Sequence, residues 1–352
     1  MSTEKDMYTF HSNIKLLKEK LNIEKINTGK QYTTKFGLVY DDIERLHALV
    51  GVDGCLHLKS GTEFSSIQYR GQNEDFGVCK SSLYRLESVE EQFLSICQTI
   101  AFEELLESHP FIKFARSMPL DKNQLCLNFT GIAQHYGLAT DYLDITNNFD
   151  VACFFATCKY MDGQYYPIGN IKKAGIIYKI NELLLPPFIE SKDNQDIELE
   201  YLGWQPLPRP EEQRASVLQI IKGTDLDNIR SIEKHYFKHS ISKSKKIWKQ
   251  FDEGKALFPD DSAADLSNEC KKLNSFTEQQ IKKAFERFEV WNIKTIENKE
   301  QMLDKLKIET IENNGLSWNS LVDIKQEYWE EKFYQTMSKV GFRMTSPHIQ
   351  LD

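Results

Sequence analysis

Nowhere does the chain hold an uninterrupted apolar run of the roughly 18 residues that a membrane-spanning helix needs. Its first residues, Met1-Ser2-Thr3-Glu4-Lys5-Asp6, lack the basic-then-apolar order of a secretion signal. Proline is sparse, 10 in 352 residues, and there is neither a low-complexity tract nor an internal repeat, which excludes a disordered chain and a solenoid. The 7 cysteines (positions 55, 79, 97, 126, 153, 158 and 270) are odd in number and contain no C-x-x-C pair. Free, mostly buried thiols are expected, not a disulfide framework or structural zinc. A G-x-G-x-x-G loop is also missing, so a dinucleotide fold of the Rossmann kind is not expected. Positive charge is in deficit: 44 Lys and Arg stand against 52 Asp and Glu, a net −8. That balance excludes a protein that coats nucleic acid by bulk charge, and leaves room for a local basic patch. A soluble cytoplasmic protein is the expectation.

What the chain does have is enough apolar material for a core: 40% hydrophobic and 27% charged residues. The length suits two domains, or one large domain with helical additions. The first fifty residues read as helical. Phe10, Ile14, Leu17 and Leu21 recur at helical spacing, and a second helical pattern spans Asp41 to Leu49 and stops at Gly51. From about residue 60 to 275 short apolar segments alternate with helices. Strands are expected at Phe64 to Tyr69, Gly175 to Ile180 (buried on both faces) and Ala215 to Ile221, and helices at Val89 to Leu106 and Phe149 to Met161. The remainder is helical again. It opens at a Thr277-x-x-Gln280 capping box before Ile281, Ala284, Phe285, Phe288 and Trp291, breaks at Asn313-Asn314-Gly315, and ends in a helix with Trp329, Phe333, Met337 and Val340 on one side. The resulting division is a helical N-terminal segment over 1–60, an α+β domain over 61–275 and a helical C-terminal segment over 276–352. His235 and His239 stand four apart in a helix-compatible stretch and read as surface histidines, since no third metal ligand lies near them.

Three stretches can carry chemistry. In Ile67-Gln68-Tyr69-Arg70-Gly71-Gln72, period two sends Gln68 and Arg70 to the face opposite Ile67 and Tyr69. Gly71 leaves room for a planar group at the backbone, and an arginine there suits a carboxylate or a diphosphate. The run from Ile132 to Ala156 is dense in hydrogen-bonding side chains: Gln134, His135, Tyr136, Thr140, Asp141, Asp144 and Thr146. It reads as helix end, turn, strand and a new helix capped by Thr146 or Asn148, whose N–H groups point at a ligand. A buried polar network that only fixes the fold is the competing reading. Third, Pro208-Arg209-Pro210-Glu211-Glu212-Gln213 leads as a charged loop into a strand at Ala215.

Together these stretches resemble the bacterial FRG domain family. Tyr69-Arg70-Gly71-Gln72 looks like its aromatic-Arg-Gly signature, and Gln134-His135-Tyr136-Gly137-Leu138 with Thr140, Leu143-Asp144 and Thr146 looks like its long second motif. Arg209-x-x-x-Gln213-x-Ala215 is similar to the third motif, and Leu257-Phe258-Pro259-Asp260-Asp261 to the closing turn. Asp141 stands where the family usually has Arg, Ile145 where it has Trp, and Ala215 where it has Gly.

The motif order is more remotely similar to that of ADP-ribosyltransferases, which implies a mixed-sheet core of that kind with helical additions at both ends. The resemblance implies an NAD-dependent ADP-ribosyltransferase: a toxin of an anti-phage defence or toxin–antitoxin system, with a cognate antitoxin and a nucleic acid acceptor, RNA before DNA, or else a protein. NAD is then a co-substrate and no metal is implied. Arg70, His135, Asp144, Thr146 and Glu212 become the catalytic candidates. Tyr69, Arg70, Gly71, Gln72, His135, Tyr136, Thr146, Arg209 and Gln213 become the NAD-binding ones. Such transferases usually carry a Glu two residues after a Gln or Glu, and here that slot, counted from Gln213, is Ala215, which leaves Glu211, Glu212 and Asp144 as the nearby acids. A non-catalytic nucleotide- or protein-binding module is the alternative, and a metal-dependent nuclease using Asp144 and Glu212 is a third.

Overall fold

The structure, a computed structural model, describes residues 8–21, 30–34, 37–41, 46–50, 54–60, 67–118, 123–169, 171–185, 197–200, 202–220, 223–229, 231–259, 261–290, 299–318 and 326–341. The chain begins with β1 (Tyr8–His11), α1 (Ile14–Lys20), β2 (Lys30–Thr34), β3 (Gly37–Asp41), β4 (Leu46–Val50), β5 (Leu56–Ser60) and β6 (Ile67–Gln72). Its middle part holds α2 (Val89–Ser108), α3 (Pro110–Ser117), α4 (Phe129–His135), β7 (Tyr142–Thr146), α5 (Phe149–Thr157), β8 (Cys158–Met161), β9 (Gln164–Pro167) and β10 (Ala174–Asn181). Next come β11 (Ile197–Glu200), α6 (Pro208–Glu212), β12 (Ala215–Ile220), β13 (Ile232–Lys238), α7 (Ile241–Gln250) and α8 (Ser262–Cys270). The last elements are β14 (Ser275–Phe276), α9 (Glu278–Val290), α10 (Lys299–Leu306), β15 (Glu309–Thr310), α11 (Gln326–Met337) and β16 (Val340–Gly341).

A seven-stranded sheet in the order β1-β13-β10-β6-β7-β12-β11 forms the centre. Its neighbours are antiparallel except for the β1–β13 edge pair. The fold is thus mixed α and β, as expected. One face of the sheet buries Ile145, Ile176, Tyr178, Ile180, Leu218 and Ile220 beneath Cys79, Leu185, Leu226 and Ile229. The other packs Tyr69, Ile177 and Phe237 against Ile14 and Leu17 of α1 and Phe149, Ala152, Cys153 and Ala156 of α5. Full burial of one such aliphatic side chain contributes about 1.5–3 kcal/mol. A helical layer lies alongside: α2 begins at a capping box between Ser88 and Glu91 and packs Phe93, Ile96 and Ile100 against Ile281, Phe285 and Phe288 of α9. The Thr277–Gln280 capping box is present, with reciprocal bonds of 3.0 and 3.2 Å. Trp291 lies outside the described residues, as does the side chain of Trp329, while Phe333 is buried at 1% exposure.

Several expectations are corrected. The N-terminal segment is not helical: α1 is its one helix among the described residues, and strands β1 to β5 make up the rest. Phe10 lies in β1, and the pattern read as a helix over Asp41 to Leu49 resolves into the end of β3 and strand β4, with 42–45 outside the described residues. Leu46 and Ala48 pack into a cluster with Leu58, Phe111, Trp204 and Phe333, and β4 is paired with β5 on one side and on the other with β16, from the far end of the chain. Neither boundary is therefore clean: β1 belongs to the central sheet, and β4 joins the C-terminal segment. The helix after Asn148 ends at Thr157, and Cys158–Met161 turns back as β8. Pro208–Glu212 is a short helix, not a loop. His235 lies in strand β13, and both it and His239 are buried.

The irregular feature of the sheet is the β6–β7 seam. β6 pairs with β10 along its whole length, Ile67 to Gln72, but meets β7 only at Tyr69↔Thr146. Beyond that pair α5 lies against β6 at Gly71, where a Cβ would sit 1.9 Å from the Ala152 carbonyl oxygen and 2.8 Å from the Ala156 nitrogen. Gly71 is thus required by the helix crossing, and the room read there for a planar ligand is filled by α5 backbone. Gly71→Ala should therefore destabilise the fold by about 3 kcal/mol or more, since overpacking against backbone has no flexible end to move. Urea denaturation measures it, and an unchanged midpoint would contradict the contact.

Candidate active site

Opposed residues on antiparallel strands share a face. By register Arg70 lies with Tyr178 on one face of the sheet, while Asp144 and Thr146 lie with Tyr69 on the other. Where β6 and β7 part, the Arg70 guanidinium bridges them: Nη1 donates to the Asp144 carbonyl oxygen at 2.7 Å, taking the place of a backbone partner. A cavity of about 120 Å³ occupies this seam. Its polar lining is Arg70, His135, Asp144, Thr146 and Gln213, and its apolar lining is Tyr69, Ile145, Val151, Ala152 and Phe155 with the backbone of Gly71.

His135 ends α4 and is held by the first residue after α6. Its Nδ1 is 2.9 Å from Gln213 Oε1, and the Gln213 amide in turn donates from Nε2 to the Leu257 carbonyl oxygen at 3.0 Å. That second bond fixes the amide with its oxygen towards the imidazole, so Nδ1 carries the proton and donates. On a neutral ring Nε2 is then an acceptor, and it faces Asp144 Oδ1 at 3.5 Å. Neither atom makes a hydrogen bond, and the same holds for Arg70 Nε. The imidazole is 2% exposed and the Asp144 side chain 37%, which sets the carboxylate at the mouth and the ring at the back. Asp144 Oδ2 accepts from Gln134 Nε2 at 3.2 Å, and Gln134 Oε1 accepts from Thr140 Oγ1 at 2.6 Å and from Ser82 Oγ at 3.2 Å. These three positioning residues were not among the site candidates read from the sequence, although Gln134 and Thr140 lie within the second motif.

The Thr146 hydroxyl lines the cavity while tying two elements together. It donates to the Gln213 carbonyl oxygen at 2.8 Å and accepts from the Asn148 backbone N–H at 3.0 Å. Asn148, not Thr146, is the N-cap of α5, accepting from the N–H groups of Asp150 and Val151. Tyr69 packs edge-on against Phe149 with ring centroids 5.1 Å apart, and burial pushes its hydroxyl up to about 12, so it stays neutral.

Four expected residues lie elsewhere. Gln72 is engaged by Tyr178 Oη at 3.3 Å and by Cys79 Sγ at 3.3 Å. Tyr136 and Arg209 meet each other instead: the guanidinium lies 4.5 Å from the Tyr136 ring centroid and 5.8 Å from that of Phe258, with Asp261 Oδ2 at 2.8 Å from the Tyr136 hydroxyl and 3.9 Å from Arg209 Nε. Glu212 is exposed and does not line the cavity. Asp144 is the one carboxylate in the lining.

A larger cavity of about 510 Å³ lies at the α2–α9 side, lined by Glu103, Glu104, Glu107 and Glu200 with Lys283 and Arg287. Four of its six charged side chains are paired with one another. Arg287 makes a two-pronged pair with Glu103 at 2.9 and 2.7 Å, Lys283 meets Glu104 at 2.7 Å, and Glu200 accepts from Asn128 and Tyr142. The smaller cavity, with unmatched polar atoms, is the candidate site.

Residues 65–164 match the family model for the FRG domain, so this stretch of the chain is an FRG domain. It supplies every lining residue of the cavity except Gln213. No curated protein and no solved structure matches the chain.

Asp141, where the family usually has Arg, is 1% exposed and therefore lies on no target-facing surface. It accepts from Gln219 Nε2 at 2.8 Å, its Oδ1 has no partner, and burial pushes its carboxyl up to about 7. A carboxyl whose folded pKa exceeds its unfolded value of 3.8 adds stability below about pH 4, and that contribution is lost as pH rises to about 7. The loss amounts to up to about 4 kcal/mol. Asp141→Asn should be the more stable protein at pH 8 and should flatten the pH dependence of the urea midpoint between pH 4 and 7. Parallel wild-type and variant profiles would contradict this.

Proposed function

We propose that the chain is an NAD-dependent ADP-ribosyltransferase whose β6–β7 seam receives the nicotinamide end of NAD. One observation carries this reading: Arg70 Nε, His135 Nε2 and Asp144 Oδ1 are buried, unbonded and disposed around one cavity. With the imidazole neutral, His135 Nε2 and Asp144 Oδ1 are two acceptors 3.5 Å apart, and a carboxamide N–H₂ is a donor that fits between them. At about 120 Å³ the space suits one ring-sized group, well below the roughly 300–1,000 Å³ of a pocket that encloses a whole ligand. The rest of the dinucleotide would run out past Asp144 over the rim, with the Arg70 guanidinium as a cation in the cavity lining.

The chemistry breaks the bond between nicotinamide and ribose C1′. The bonding pair leaves with nicotinamide and positive charge grows on C1′. Asp144, at the mouth, is the carboxylate available to stabilise that charge, a contact typically worth about 3–4 kcal/mol. An acceptor hydroxyl then forms the new C1′–O bond and releases its proton through Asp144 to water. The mixed α and β core, with its parted central strands, is compatible with an ADP-ribosyltransferase-like fold. The roles as toxin, defence component and antitoxin partner, and RNA as the favoured acceptor, rest on the family resemblance and belong to the same proposal. No helix among the described residues is long and apolar enough to cross a membrane.

A second reading, a nucleotide-binding module without turnover, is favoured by one feature. The slot two residues after Gln213 is Ala215, paired with Thr146 in the sheet, and Glu212 points away from the cavity lining.

Incubation with NAD followed by chromatography of released nicotinamide separates the two. The expected result is release by wild type, a loss of 10² or more in rate for Asp144→Asn with a melting temperature within a few degrees, and a comparable loss for Arg70→Lys. Saturable NAD binding without any release by the folded wild type establishes the binding module instead.

A further inference from the structure

Three basic runs mark the second half of the chain: Lys243 to Lys249, Lys271-Lys272 and Lys282-Lys283. The structure separates them. Lys272 is paired with Glu269 at 2.7 Å and Lys283 with Glu104 at 2.7 Å, and Lys271 Nζ donates to Asn268 Oδ1 at 3.1 Å. By contrast Lys245, Lys246 and Lys249 are exposed on α7 and make no ion pair among the described residues. The chain as a whole carries −8, so three unmatched lysines within one helix are a local inversion of its charge. Asp252 and Glu253, just past α7, are the nearest acids in sequence and reduce that inversion without cancelling it.

Beside this helix lies an aromatic path to the candidate site. α7 is anchored to the β8–β9 hairpin by Trp248 Nε1, which donates to the Tyr165 carbonyl oxygen at 2.7 Å. Phe155, in the cavity lining, meets Phe258 edge-on at 6.0 Å, and Tyr165 stacks on Phe258 at 4.8 Å. Tyr160 follows at 5.0 Å from Tyr165 and is 60% exposed. An exposed tyrosine on the hairpin to which α7 is anchored, joined ring by ring to the cavity wall, and the unmatched lysines of α7 are the two features that hold single-stranded nucleic acid: a π-face for an unstacked base and cations for phosphates.

We propose that the outer face of α7, with Tyr160 of the hairpin, is a landing surface for single-stranded RNA. Lys245, Lys246 and Lys249 contact phosphates and Tyr160 stacks on a base, which sets the strand beside the β6–β7 seam. RNA is favoured over DNA because unpaired, splayed bases are the normal state of RNA loops and ends, whereas DNA bases are paired and stacked. As a statement about binding this needs no NAD chemistry; as a statement about which acceptor reaches the seam, it rests on the transferase reading above.

The test is fluorescence anisotropy of the full chain with a labelled, unstructured 12-nucleotide RNA, without NAD, across a salt series. Wild type should bind with a log–log salt dependence, and Lys245→Ala/Lys246→Ala/Lys249→Ala should flatten that slope by about 2, at roughly 0.7 for each phosphate no longer neutralised. Tyr160→Ala should weaken binding about tenfold or more with the slope unchanged. These are surface positions, so melting temperatures should match wild type. Nicotinamide release without acceptor should also be unchanged in both variants, which separates failure of this proposal from failure of the transferase reading. Equal slopes for wild type and the lysine variant overturn it. So does tighter binding of single-stranded DNA, of duplex or of an acidic peptide than of the RNA.

Discussion

Everything at the candidate site depends on the incomplete pairing of β6 with β7. A sheet that zipped fully here would bond the Asp144 carbonyl to backbone and leave no cavity. Instead one register pair, Tyr69↔Thr146, holds the strands together, and the Arg70 side chain closes the gap beyond it at 2.7 Å. The guanidinium thereby serves the fold with one nitrogen and leaves Nε without a partner beside the cavity. Gly71 completes the arrangement, since only a residue with no Cβ lets α5 approach closely enough for Val151, Ala152 and Phe155 to wall the space. The aromatic-Arg-Gly sequence is thus three consecutive structural demands: a core ring, a bridging cation and a helix contact.

Around the seam the polar groups form two circuits that share the β7 strand. In one, Ser82 and Thr140 orient Gln134, which holds Asp144 Oδ2. In the other, Leu257 orients Gln213, which holds His135 Nδ1. Each circuit satisfies its own outer members and leaves one inner atom free, Oδ1 and Nε2 respectively. Buried polar atoms normally find partners because an unmade bond costs about 1–3 kcal/mol. Two such atoms converge on the same space, with a third from Arg70, and that convergence is what supports the proposed reading of the seam as a binding site.

Local patterns carried much of this into view and failed for identifiable reasons. α9 was legible because it starts at a reciprocal cap and keeps one apolar stripe, and α2 as a long helix-compatible run, although it is buried on more than one face. β10, buried on both faces, was legible as a continuous apolar run. β4 was not, because Leu46 and Leu49 fit a helical step as well as a strand. What decides between them is sheet pairing, over five residue pairs with β5 and over two with β16, a partner almost the whole chain away. At the site Arg70, His135, Asp144, Thr146 and Gln213 converge as the motifs implied, but their sequence neighbours do not follow. One residue along a helix turns the side chain by about 100°, which takes Tyr136 away from His135 and into a stack with Arg209. Glu212, one residue before Gln213, is likewise turned out to solvent. Gln134 stood in the second motif without being a site candidate because its role is to hold a carboxylate, and a supporting amide has no signature of its own.

The central claim is that His135 Nε2 and Asp144 Oδ1 are acceptors awaiting a donor from the ligand. Nitrogen-15 NMR of protein labelled at histidine, titrated with NAD and assigned with His135→Gln, reads this atom by atom. The account predicts a saturable shift of the His135 Nε2 resonance while Nδ1, already bonded to Gln213, moves little. An Nε2 resonance that stays put throughout the titration, or that moves no more than Nδ1, would contradict it.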